Sequence, residues 1–293
     1  MKWLYLALVV ALLSACGSTP YRDDYAKHVQ LNNTQFISPN ELSWAIDLTA
    51  PVELRGKYQQ NNTLGSSAIL YDGSAGLAGM LVQVGVHAAM INSGRDSKLS
   101  EQQMHANNNI KMLDELTGDL SLGDILSVEV KQSITASADT NTVFVKPIFF
   151  SDQRMRRLTL KLIAWIPKDI SKAPVKERDY RYQNMIQVYD SLPEDDDSNL
   201  LDLTQADLHK RYQSLLDIGL KIVANDVSGQ YQLDDTQSQT FTVKYDDRNT
   251  VIRGKLAEHT CTHEIIKDLR NWFIAVPNLQ QASLESRDLV ASC

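Results

Sequence analysis

The sequence predicts an α+β fold, a mostly antiparallel sheet packed by about three helices, with a small C-terminal β module. Three observations carry this reading. Residues 158–166 alternate Leu158, Leu160, Leu162, Ala164 and Ile166 with Thr159, Lys161, Ile163 and Trp165, the two-residue period of a strand. Further strand-like stretches follow one another through Ser-, Asp- and Thr-rich connections, which suits a meander. Residues 204–226 instead place Leu208, Tyr212, Leu215, Gly219 and Ile222 at three- and four-residue spacing, the signature of an amphipathic helix.

In chain order, Trp44, Ile46 and Leu48 alternate as a strand, Pro51 interrupts, and Val52-Glu53-Leu54 continues it. A polar loop over 59–65 and a short strand over 67–71 come next. From Gly73 to Ile91 only Ser74, Gln83 and His87 are polar. Length and alanine content make this run a helix, with Ala75, Ala78, Val82, Gly85 and Ala89 as a stripe of small side chains. A helix apolar all round is either buried or membrane-embedded, and Gln83 and His87 near its middle favour burial. Gly94-Arg95-Asp96 should break it. A second helix is expected over 98–116, with Leu99, Ala106, Ile110, Leu113 and Leu116 on one side and Gly118 as its C′ residue. Strands are expected over 125–134, 142–150 and 157–166, and another through Tyr180, Tyr182, Asn184, Ile186 and Val188. Thr204-Gln205-Ala206-Asp207 reads as a capping box with Asp in place of Glu, opening the helix that runs to Asp226. The polar stretch 229–239 marks a boundary. Beyond it, Phe241, Val243 and Tyr245 pair across a turn with 250–257, and 259–266 pairs with 269–276.

The first residues carry a different signal. Lys2 precedes an apolar run from Trp3 to Ala15, too short for a span, which needs about 20 apolar residues, but of the length of a signal-peptide core. It ends in Leu13-Ser14-Ala15-Cys16, which resembles the lipobox of bacterial lipoproteins. The resemblance covers residues 1–17 and implies a diacylglyceryl thioether on Cys16, cleavage before it, and acylation of the new amino group. Two or more acyl chains anchor a protein stably where one does not. Gly17, where an Asp would favour inner-membrane retention, implies the outer membrane with a periplasm-facing body. The chain then divides into a signal peptide (1–15), a flexible tether (16–40), a main α+β domain (41–228) and a small β-rich C-terminal module (229–293). With Cys16 lipidated, Cys261 and Cys293 remain, and in an oxidising periplasm they form a disulfide, with about 3–4 kcal/mol of stabilisation for a loop of roughly 30 residues.

Composition excludes some functions. The net charge is −7, or −8 once Lys2 leaves with the leader, and no basic stripe exists, so nucleic acid is not a partner. His259-x-Cys261-x-His263 is the one cluster of metal-ligand types. On a strand all three would share a face, but a disulfide at Cys261 would consume the thiolate, so no metal is expected there. His87 reads as a core histidine. Glu194-Asp195-Asp196-Asp197 lacks the spacing and glycine of a Ca²⁺ loop and reads as solvated. No G-x-S-x-G elbow, P-loop, H-E-x-x-H or dinucleotide fingerprint is present, and no cofactor is implied. The sequence therefore points to a lipid-anchored envelope protein with a non-enzymatic binding or scaffolding role. Its partners would be the membrane, through the lipid on Cys16, and envelope protein. Two alternatives stand beside it: a periplasmic hydrolase with a site assembled from distant residues, and a protein that engages a membrane or partner through residues 73–91.

Overall fold

The computed structural model describes residues 36–57, 93–135, 137–171, 179–190, 199–233, 237–245 and 248–278. Cys16 and the leader, the run 73–91 with His87, the acidic residues 194–197 and the tail with Cys293 lie outside them.

The chain is α+β. Among the described residues nine strands form one mixed, mostly antiparallel sheet. Its spine is β3 (Thr142–Ser151), β4 (Leu158–Pro167) and β5 (Tyr180–Tyr189), three ten-residue strands paired antiparallel. Beyond β3 lie two short strands, β1 (Ser43–Ala45) and β2 (Leu54–Gly56), both parallel to it. On the other side, β9 (Phe273–Pro277) pairs parallel with β5. The sheet continues outward through β8 (His263–Asp268), β7 (Arg248–His259) and β6 (Gln239–Tyr245), all antiparallel. The segment after residue 229, expected as a small β module, thus supplies four strands hydrogen-bonded into the same sheet.

Helices are named in chain order: α1 (Ser93–Asn109), α2 (Lys111–Thr117), α3 (Leu122–Ile125), α4 (Val128–Gln132) and α5 (Gln205–Val227). The largest, α5, begins as the sequence predicts. Thr204 is its N-cap, and the Thr204 hydroxyl accepts from the Asp207 amide at 3.2 Å and donates to the Asp207 carboxylate at 2.7 Å. Leu208, Tyr212, Leu215, Gly219 and Ile222 are all buried, as their spacing requires. A Cβ on Gly219 would come within 3.1 Å of methyls on both Leu160 and Leu162, so glycine lets α5 lie close on β4. The ring of Tyr212 meets Phe149 of β3 edge-on at 4.7 Å, and Arg211 reaches Asp190 at the end of β5 at 2.8 Å. α5 ends in a Schellman turn. The amide of Gln230 donates to Asn225 and that of Gly229 to Asp226, and Gly229 takes the left-handed conformation at φ 78 that only glycine adopts at little cost. Phe36 packs directly on that glycine.

Several local expectations change. Residues 125–134 are not a strand: they close α3 and form α4. Ser121 and Asp124 make a reciprocal capping box that starts α3; Ile125 is buried as its last residue and Leu126 as the C-cap that follows. Gly94, Arg95 and Asp96 lie within α1 rather than breaking a helix, since one glycine costs a helix only about 1 kcal/mol. The expected helix over 98–116 is divided at Ile110, whose backbone leaves helical values at φ −108 and ψ 15. Three successive asparagines, weak helix formers, precede it. Gly118 is a right-handed C-cap at φ −60, not a left-handed C′ residue. The strand expected through Leu48 stops at Ala45, because Asp47 accepts from the amide and hydroxyl of Thr49 and turns the chain. Order also begins before Leu42: Ile37 is buried and its amide donates to the Val227 carbonyl at 3.0 Å.

Both faces of the spine are buried. The Leu158, Leu160 and Leu162 face packs under α5, while Ile148, Phe150, Ile163, Trp165, Tyr180, Met185 and Trp272 form a second apolar cluster on the other. α1 meanwhile shields part of the sheet edge. Asn107 accepts from the Gly56 amide and Gln103 donates to its carbonyl, both at 2.9 Å, satisfying backbone groups that an edge strand leaves open. A Cβ on Gly56 would overlap the Ala106 carbonyl. Gly56→Ala should therefore separate α1 from β2 and lower stability by about 1–3 kcal/mol in urea unfolding, the usual cost of overpacking; an unchanged midpoint would show that α1 does not need this contact.

Candidate functional site

The His259, Cys261 and His263 trio does not form a shared strand face. β7 ends at His259, β8 begins at His263, and Cys261 sits on the exposed turn between them. Thr260 closes that turn, pairing with the His263 amide and carbonyl through backbone and hydroxyl at 2.9 Å. His263 points inward. Its Nε2 lies 2.9 Å from the Tyr189 carbonyl, which only accepts, so Nε2 carries the proton and Nδ1 accepts from the Thr262 hydroxyl at 2.9 Å. Burial pushes the His263 imidazole below its usual range and keeps it neutral. His259 points to solvent, 3.7 Å from Glu264. Among the described residues no group of three His, Cys, Asp or Glu side chains could hold a metal. Cys16, His87 and Cys293 lie outside the described residues, so the lipidation and the disulfide stay proposals.

Two clusters of ionisable groups went unread in the sequence. The first gathers under the end of α5. The Asp226 carboxylate accepts from the Tyr182 hydroxyl at 2.8 Å and from the Asn184 amide at 2.9 Å, and Lys267 of β8 stands 3.9 Å away. Burial raises the Asp226 carboxyl above its ordinary value, against the pull of Lys267, Asn184 and Tyr182. Beside it, Tyr231 donates to Glu258 at 2.5 Å and Asn225 donates to Tyr231 at 3.0 Å. Burial, then the bond to Glu258, drives the Tyr231 phenol upward. Three donors converging on one carboxylate fasten the helix end to β5 and β8. A signal existed: Asp226 falls four residues after Ile222, on the buried stripe itself.

The second cluster lies on the opposite face. Register places Arg55, Phe150, Thr159 and Tyr189 in one row across four strands, and Ile148, Lys161 and Gln187 in the next. Lys146 and Ile163 form a third row with Met185. Glu53 is shared: Arg55 Nε donates to it at 2.6 Å and Lys146 Nζ lies at 3.3 Å. Burial lowers the Lys146 amine despite Glu53. Lys161 has no carboxylate beside it among the described residues; its ammonium rests 4.9 Å from the Phe150 ring centroid. Burial, then the charges of Lys57 and Arg55, pushes the Lys161 amine down to about 8. The Lys57 ammonium itself lies over the Tyr189 ring at 5.9 Å. The alternation that set Lys161 with Thr159, Ile163 and Trp165 on one face holds. What it missed is that Ile163 and Trp165 on the same face make that face a low-dielectric one.

Comparison with known protein families, characterised proteins and solved structures finds no match to this chain.

The raised Asp226 carboxyl has a measurable consequence. In the unfolded chain this group releases its proton near 3.8, in the fold only at higher pH, so the wild type loses stability as pH climbs between the two values. Asp226→Asn removes that loss. The urea midpoint of the variant should gain on the wild type as pH rises from below 3.8 into the weakly acidic range. Parallel pH curves would contradict the raised carboxyl.

Proposed function

We propose that this chain is a lipid-anchored protein of the bacterial cell envelope, held at the outer membrane and facing the periplasm, with a non-enzymatic binding or scaffolding role. The observation that carries the reading is Leu13-Ser14-Ala15-Cys16 at the end of a short apolar leader. A triacylated Cys16 would hold the body at a membrane without a span. No helix among the described residues is long and apolar enough to cross a membrane. The polar groups around Asp226 and Glu258 are not arranged as a catalytic centre. They are engaged with one another in a closed network rather than left open toward a substrate. A Cys261–Cys293 disulfide would tie the end of the chain to the β7–β8 turn. The partners are the membrane, through the lipid, and a further envelope component recognised by the body.

Mass spectrometry of the mature protein tests the anchor and the disulfide together. The expected result is a chain that begins at an acylated Cys16, with Cys261 and Cys293 recovered in one linked peptide. Fractionation of Cys16→Ser should move the protein from membrane to soluble fraction; retention in the membrane would mean that something other than the lipid anchors it. Turnover of peptidoglycan or phospholipid by the purified full chain would overturn the non-enzymatic role.

A further inference from the structure

We infer that the face of the sheet carrying Arg55, Lys146 and Lys161 is a binding site for a phosphate group. The argument is one of unbalanced charge in an apolar setting. β2 adds Arg55 to the row that ends at Tyr189, and β3 and β4 bring Lys146 and Lys161 onto the same face. Even leaving Lys57 aside, three cations meet one described carboxylate, Glu53, which Arg55 and Lys146 already occupy. Lys161 is left with only the face of Phe150 as a partner among the described residues. An ammonium set among apolar side chains loses hydration, and a ring face returns only part of it, about 0.5–2 kcal/mol. The Arg55 and Lys57 charges oppose the Lys161 ammonium further.

A counter-anion repairs all of this at once. It gives Lys161 a charge-assisted hydrogen bond and relieves its repulsion from Arg55 and Lys57. The excess of two positive charges among the described residues, from Arg55, Lys146 and Lys161 against Glu53, suits a phosphate better than a single carboxylate. The contrast with the other face supports a ligand. There the buried charge, Asp226, meets Tyr182, Asn184 and Lys267 from within the chain. Lys161 has no such company among the described residues.

This inference adds a ligand class to the binding role proposed above and rests on that reading only for biological context. Phosphate binding is indifferent to the lipid, so failure of the anchor and failure of this site are separate results. The test uses the full chain in detergent, with its lysines labelled by reductive methylation with ¹³C-formaldehyde and followed by NMR. The Lys161 signal is identified by its absence in Lys161→Arg. Without ligand it should titrate well below the ordinary lysine value, and saturating inorganic phosphate should raise its midpoint by about one unit or more, since an adjacent opposite charge favours the charged form. A second arm uses dihexanoyl phosphatidylglycerol. A response to the lipid alone identifies a headgroup as the source, a response to inorganic phosphate identifies the free ion, and both are the chemistry inferred. Titration calorimetry should show Lys161→Met weakening phosphate at least tenfold and Lys161→Arg restoring it to within a few-fold, both variants melting cooperatively. A Lys161 midpoint unmoved by either ligand, or undiminished binding in the Met variant, overturns the site.

Discussion

The seat of α5 on β4 sets the dimensions of the fold. Gly219 has no side chain, so the helix lies directly on Leu160 and Leu162, with Tyr212 edge-on to Phe149 beside it. Each fully buried large apolar side chain contributes about 1.5–3 kcal/mol, and α5 alone buries Leu208, Leu215, Leu216, Leu220, Ile222, Val223 and Val227. That close approach fixes where the ends of the helix fall. Arg211 reaches Asp190 at one end, and Asp226 drops between Tyr182 and Asn184 at the other. The Schellman turn at Gly229 then delivers Tyr231 to Glu258 of β7, coupling the helix end to the outer strands.

The parallel pairing of β9 with β5 is the second constraint. It inserts the last described strand next to the spine and leaves β8, β7 and β6 to extend outward from it. Strand order is thus not sequence order. The strands that follow the polar stretch over 229–239 are hydrogen-bonded into the same sheet as the spine, a partnership that composition, which reports solvent exposure, does not reveal.

What was legible in the sequence had strong local periodicity or a cap. Helix α5, its Thr204 cap and its buried stripe were read correctly, as were the spine strands and the hairpins of the C-terminal half. The failures lie where one local preference opposes another. Val128 and Val130 have β-branched side chains that argue for a strand, yet they lie in the one-turn helix α4, which follows Ser127 directly after α3. Three asparagines divide α1 from α2 where a count of apolar positions sees one helix. The Asp226 network and the Lys161 face escaped for another reason. Their chemistry depends on pairs such as Lys267 with Asp226, joined by the seat of α5 on the sheet, and Arg55 with Phe150, joined by strand register.

The two faces of the spine treat buried charge in opposite ways, and the difference is physical rather than accidental. Under α5 the carboxylate is raised by burial yet held by a phenol, an amide and an ammonium, so the network is complete and its role is to fix the helix. Across the sheet, Lys146 shares Glu53 with Arg55, and Lys161 meets an aromatic ring and further positive charge. A purely structural position could accept methionine there, which would remove the desolvation cost and keep the packing against Phe150. Beyond the contact of its ammonium with Phe150, a lysine at that point contributes little to the core that a thioether would not. What it adds beyond that contact is a proton donor and a charge in an apolar face, the features that an anionic ligand would use.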